Sequence, residues 1–234
     1  MSAITSKSVL FAVVALVVSA NAFAGPICDR SLTYDKLTAA EKALVDAHKQ
    51  AARFVPQANG YYIGYIFSLA KFDTELAFGV YTSCGEHAGK SGLGDFLVQS
   101  KITSDESKNP FRVFYEQQVS FPYDNGQYTV ENTIGEEQGG YILNTKLIES
   151  SDAGFSPKFA DGYVRMTPKD GETFVIACNY MIPRTGSFKG TFNDLAKERL
   201  QASGKNLLAW VTRVSGKSAS VEFYKNRLKR ILGK

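Results

Sequence analysis

The stretch FADGYVRMTPKDGETFVIACNYMIP, residues 159–183, decides how the rest of the chain is read. Residues 162–167 and 173–182 are rich in β-branched and aromatic side chains, and Pro168, Lys169, Asp170 and Gly171 between them favour a tight turn. Two antiparallel strands are therefore predicted. In the second, Val175, Ala177, Asn179 and Met181 alternate with Phe174, Ile176, Cys178, Tyr180 and Ile182. Both sets are largely apolar, so both faces of this strand need a cover, from the N-terminal helix or from a partner protein.

Upstream, residues 60–72, 96–102, 112–121, 127–134 and 141–148 carry the same strand chemistry, broken by Asn-Pro, Asp-Asn-Gly and Gly-Gly. Asp73 caps a short helix running to Thr82, with Ala77, Val80, Tyr81 and Cys84 on one side. Ahead of these, Thr38 and Glu41 form a capping box stapled by Leu37. Leu37, Ala40, Leu44, Ala47, Ala51 and Phe54 then recur at helical spacing until Pro56 and Gly60 stop them. Downstream, a long helix is predicted over about residues 191–214. Phe192, Leu195, Leu200, Leu207, Val211 and Val214 form its stripe, with Trp210 alongside. The result is an α+β fold of about seven antiparallel strands curved around one long C-terminal helix, with an extra N-terminal helix. A curved sheet and a single helix cannot fill all the space between them, so a lined, largely apolar cavity is expected.

The ends of the chain are read separately. Residues 1–24 hold Lys7, an apolar run over 9–18 and the small-x-small pattern Ala22, Phe23, Ala24, which reads as a signal peptide cleaved before Gly25 or after Ala22. The run is too short to span a bilayer. A periplasmic or secreted location is expected. The division is then 1–24 signal peptide, 25–58 an N-terminal segment with one helix, 59–214 the main domain, and 215–234 a basic tail. In that tail Val221, Tyr224, Leu228 and Ile231 share one face among lysines and arginines. The pattern suits an interfacial helix on anionic lipid, a helix docked on its own domain, or a frayed terminus.

The net charge of +4 is too small for a general nucleic-acid binder, and two histidines far apart exclude a His-rich metal site. No cofactor is implied. Cys28 and Cys84 could pair in an oxidising compartment and leave Cys178 alone, or all three could stay thiols. CGEHAGKS, residues 84–91, ends like a phosphate-binding loop, but it lacks the first glycine and follows a helix instead of a strand. Cys84 with His87 would need a third, orienting group to make a thiol nucleophile. The reading left is a glycine-rich connection between two pieces of the fold.

Residues 159–183 resemble the late strands of the START-like, or SRPBCC, helix-grip superfamily, whose members often show Gly-x-aromatic-Arg-Leu-x-Pro followed by Asp-Gly-x-Thr-x-Val. DTELAFGVYT, residues 73–82, is similar to that superfamily's first helix. The resemblance spans roughly residues 60–214. It implies a hydrophobic-ligand cavity for lipids, sterols, polyketides or quinones, with a minority of aromatases and cyclases. Two departures stand out. The tryptophan usual before Arg165 is Val164, and PYDNGQYTV keeps Tyr128 without the arginine of the lipid-carrying pattern, whose role is not carried over.

The expectation is a non-catalytic carrier of a hydrophobic small molecule. Tyr115, Tyr128, Asn179, Met181 and Trp210 are the expected cavity-lining residues, the tyrosines and Asn179 giving the few polar contacts. The alternatives are an envelope interaction module without ligand and a cyclase-like enzyme. The last has least support, because no carboxylate or histidine pair stands out among the strands.

Overall fold

The computed structural model describes residues 27–119, 124–153, 155–186 and 188–234. The expected signal peptide lies outside them. Strands β1 (Ala51–Pro56), β2 (Tyr62–Ala70), β3 (Leu97–Ile102), β4 (Phe111–Gln117), β5 (Gly126–Glu137), β6 (Gly140–Ser150), β7 (Pro157–Lys169) and β8 (Glu172–Pro183) form one sheet. Its order is β1-β2-β8-β7-β6-β5-β4-β3, antiparallel at every step. Strands β3 to β8 are a simple meander, and the β1–β2 hairpin joins beside β8. Helices α1 (Ala39–Asp46), α2 (Thr74–Tyr81), α3 (Lys189–Ser215) and α4 (Ser218–Ile231) complete the chain. No helix among the described residues is long and apolar enough to cross a membrane.

This is the expected helix-grip fold with eight strands in place of about seven. The extra strand comes from a misread helix. Thr38 and Glu41 do make a reciprocal capping box, but α1 ends at Asp46, and His48 takes a left-handed φ of 55°. Ala51 and Phe54 belong to edge strand β1, where Ala51 is opposite Phe67 and Phe54 is opposite Gly64. Their three-residue spacing fits a helix period, yet Arg53-Phe54-Val55 is strand chemistry and gains a ladder with β2.

The two faces of the sheet carry separate cores. On the outer face, Tyr65, Phe67, Tyr163, Phe174, Ile176 and Tyr180 pack under Cys28, Leu32, Leu37 and Val45. The second alternating set of β8 is thus covered by the N-terminal segment, not by a partner. Cys28 is bonded to Cys178 across a sequence separation of 150. The expected Cys28–Cys84 pairing is therefore wrong. Cys178 points outward from β8 toward the N-terminal segment, while Cys84 faces the inner core and is a buried free thiol. A sheet lies between them.

Arg165, 1% exposed, also faces outward. Its Nη1 donates to Arg30 O at 2.9 Å and to Glu137 Oε1 at 2.8 Å, and its Nη2 donates to Leu32 O. Ile27 N donates to Asp161 Oδ2, Asp29 N donates to the Tyr65 hydroxyl, and the Tyr163 hydroxyl donates to Asp29 O. The N-terminal segment is a strap tied down by covalent and polar bonds.

On the inner face, α3 runs across the sheet from the end of β8. It comes closest over β2, where a Cβ on Gly64 would stand only 2.6 Å from Leu200 Cδ2. The tail forms α4 and docks on α2. Tyr224, Leu228 and Ile231 are buried in the inner core, so of the three alternatives for the tail the structure shows the helix docked on its own domain. Gly79 allows this approach, since a Cβ there would lie 2.6 Å from Tyr224 O. Arg227 is buried with them, donating to Ser83 Oγ at 2.9 Å and pairing with Glu106 at 3.2 Å.

Candidate functional site

Between the inner sheet face and α3 lies a cavity of about 220 Å³. Its apolar wall comes from strand alternation: Ile66 of β2, Val130 of β5, Val164 of β7, Val175 and Ala177 of β8, with Leu207 of α3 opposite. Val164, where a tryptophan was the expected residue, leaves room that an indole would fill.

The polar groups gather toward β4, β5 and the connection after α2. Tyr115 and Tyr128 stand on β4 and β5 as direct cross-strand partners, with ring centroids 5.8 Å apart. His87 lies beside Tyr115. His87 Nε2 is 2.6 Å from Tyr81 O and Nδ1 is 2.8 Å from the Tyr115 hydroxyl. A carbonyl can only accept, so Nε2 carries the proton and Nδ1 accepts from Tyr115. Burial pushes the His87 pKa down to about 4 and holds both tyrosines above their ordinary range. This part of the wall is polar and uncharged at neutral pH.

The network continues to the cavity edge. Gln117 Nε2 donates to the Tyr128 hydroxyl, while Gln117 Oε1 accepts from Arg199 Nη1 at 3.2 Å. Arg199 Nη2 donates to Gln118 O, and the guanidinium lies over the Phe96 ring at 5.5 Å. Deeper in, the Ser68 hydroxyl is buried and has no hydrogen-bond partner among the described residues. Buried hydroxyls are nearly always paired, so Ser68 marks a point where the wall is chemically incomplete.

Of the five residues expected to line the cavity, Tyr115, Tyr128, Asn179 and Met181 do line it. Asn179 and Met181 also border a much smaller space under Phe54 and Leu200. Trp210 does not reach the cavity. It is packed edge-on against His87 at 6.2 Å and Tyr224 at 6.4 Å, because the C-terminal half of α3 is covered by the loop after α2 and by α4. Ser68, His87, Gln117 and Arg199 were not anticipated. A signal existed for Arg199 and Ser203, which interrupt the stripe Phe192, Leu195, Leu207 at helical spacing.

Residues 84–94 make neither a phosphate loop nor a thiol site. Burial pushes the Cys84 thiol up to about 12, so it stays protonated, and both His87 nitrogens are engaged elsewhere. The connection is clamped: Asn206 donates to Leu93 O, Arg213 to Ser91 O, and the Tyr224 hydroxyl to Glu86. His87 and Leu93 still face the cavity. No cluster of three His, Cys, Asp or Glu side chains suited to a metal occurs among the described residues.

Among solved structures, the chain is similar to the STAR-related lipid transfer protein of Xanthomonas axonopodis, with a TM-score of 0.58 at 12% identity over 70% of this chain and 93% of that one. It is similar to human STARD10, with a TM-score of 0.60 at 9% identity over 76% of each chain. The Zhui aromatase/cyclase from Streptomyces sp. R1128 gives 0.53 at 11% identity over 72% of this chain and 98% of that one. No family model matches the sequence. Among curated proteins, the capsule polysaccharide export inner-membrane protein KpsE of Escherichia coli is 28% identical over 143 residues, which is 61% of this chain and 30% of that protein. The chain thus spans under a third of the curated relatives it matches. Its fold is that of the START-like helix-grip proteins.

Proposed function

We propose that this protein binds and carries a hydrophobic small molecule, without catalysis, in the periplasm or outside the cell. The observation that carries the reading is the cavity itself: an apolar pocket closed by α3, with a few convergent polar groups and one unpaired buried hydroxyl, Ser68. The solved structures that share the fold include lipid-transfer proteins, which supports a lipid-like ligand. The disulfide suits an exported chain, as does the signal-peptide pattern. Any contact with anionic membrane would use the outer side of α4, where Phe223 is 53% exposed and Arg230, seven residues on, is exposed on the same side.

Organic extraction of the purified full chain, followed by mass spectrometry, tests the carrier reading. A reproducible apolar species in stoichiometric amount is expected. Its absence, with no binding of fluorescent fatty-acid or sterol probes, overturns the reading. A second reading, an envelope interaction module, is favoured by the match to a capsule-export protein. It would be left standing by that negative result.

A further inference from the structure

Arg199 is half-buried on the cavity side of α3, and it differs from Arg165, Arg227 and Arg53, which the fold pairs with carboxylates. Arg165 faces Glu137 at 2.8 Å and Arg227 faces Glu106 at 3.2 Å, while Arg53 donates from Nε to Glu41 at 2.8 Å. Arg199 has no carboxylate within ion-pair distance among the described residues. Its hydrogen bonds among the described residues go to neutral oxygens, Gln117 Oε1 and Gln118 O. Its neighbour Glu198 is exposed and makes no ion pair with it, although its charge partly offsets the desolvation. Desolvation pulls the Arg199 pKa below the ordinary arginine value. Taking a cation out of water without an opposite charge is costly, and such a group is normally paired.

The placement of Arg199 makes that cost informative. The side chain lines the cavity from α3. Two of its five N–H donors are committed, and Phe96 sets the plane of the guanidinium, so a fork of donors is fixed before any ligand arrives. We infer that the cavity takes an organic acid, its carboxylate paired with Arg199 at the cavity edge and its apolar body laid along Val130, Val164 and Leu207. This deepens the carrier reading and rests on it.

The volume limits the body. A space of about 220 Å³ equals roughly seven waters of liquid, and it lies below the ~300–1,000 Å³ of pockets for drug-sized molecules. A single medium-length chain or a small ring system fits, and a two-chain phospholipid does not. The neutral Tyr128–Gln117 pair beside Arg199 leaves the acid as the charge that completes the site.

The test is isothermal titration of the full chain with decanoate, decanol and decyltrimethylammonium at neutral pH and fixed ionic strength. Decanoate is expected to bind about tenfold or more tighter than decanol, with the ammonium weakest. Arg199→Gln should reduce that margin below about threefold by weakening decanoate alone. Arg199→Lys, which keeps the charge and loses the fork, should fall between the two and serves if the glutamine variant does not fold. Equal binding of decanoate and decanol by the unaltered protein overturns the acid assignment and leaves the carrier reading intact. So does a margin that survives Arg199→Gln. Failure of all three probes overturns the acid assignment, and the extraction with fatty-acid and sterol probes then decides the carrier reading separately.

Discussion

The outer and inner faces of β2, β7 and β8 are built from the same strands, yet they are finished differently. Outside, residues 27–37 lie flat on the sheet, and Cys28–Cys178, Arg165, Asp161, Tyr65 and Tyr163 hold them there. Inside, α3 touches closely over β2 and stands off toward β4 and β5, leaving a cavity in which, among the described residues, Ser68 has no hydrogen-bond partner and Arg199 no ion pair. The difference teaches that one face is finished by bonds while the other keeps a cavity, the space that the proposed carrier function would use. Rigid closure outside is what allows incomplete closure inside, because a marginally stable domain cannot leave both faces unfinished.

The largest effect should come from breaking the outer face. Replacing Cys28 and Cys178 with alanine releases a loop of 150 residues, which the chain-entropy model values at about 5 kcal/mol. Urea unfolding of the oxidised parent and the double variant measures it. A loss under 1 kcal/mol would mean that the strap's hydrogen bonds suffice.

The next test lies where the inner face meets the clamped connection. His87 is held neutral by burial, its pKa pushed from the ordinary 6.5 down to about 4. As pH falls below 6.5 the unfolded chain takes up a proton that the folded chain refuses until about pH 4. Stability should therefore be complete above pH 6.5 and decline toward pH 4, by about 3 kcal/mol in all. Asp29, Glu41, Asp73 and Asp105 are held below their ordinary values and contribute at lower pH. His87→Gln should flatten the window between pH 4 and 6.5. An unchanged slope in that variant would show that other groups cause it.

The smallest effect should come from the floor of the cavity. Ser68→Ala removes a buried hydroxyl that has no partner, so stability should change by less than about 1 kcal/mol and in the direction of a gain. A loss of 2 kcal/mol or more in thermal unfolding would reveal a bond that the geometry lacks. The inner face would then be as finished as the outer.

Much of this contrast can be read in residues 173–182, where alternation separates Val175 and Ala177 from Ile176 and Cys178 and the START-like register implies that the first pair faces inward. The capping box at Thr38 and the Asp73 cap are local chemistry, and they occur as read. The failures have a common physical cause. Ala51 and Phe54 satisfy both a helix period and a strand, and only the pairing with β2 decides between them. Cysteine spacing carries no information about which side of a sheet each thiol faces, so the partner of Cys28 was misread. Trp210 looked like cavity wall because its helix is amphipathic along its whole length. Which turns of that helix meet open space depends on α4 and His87, far away in sequence.

The position of the disulfide also bears on how the chain is made. Cys28 emerges from the ribosome early and its partner much later, after seven further strands have been synthesised. Throughout that interval Cys84 is the nearer thiol, and a bond to it would fix the strap to the wrong side of the sheet. The native fold answers this by enclosing Cys84 in the inner core, 1% exposed and kept protonated, where exchange with an outer disulfide has no path. In the finished fold, Cys178 is the thiol on the strap's side of the sheet and Cys84 is on the other.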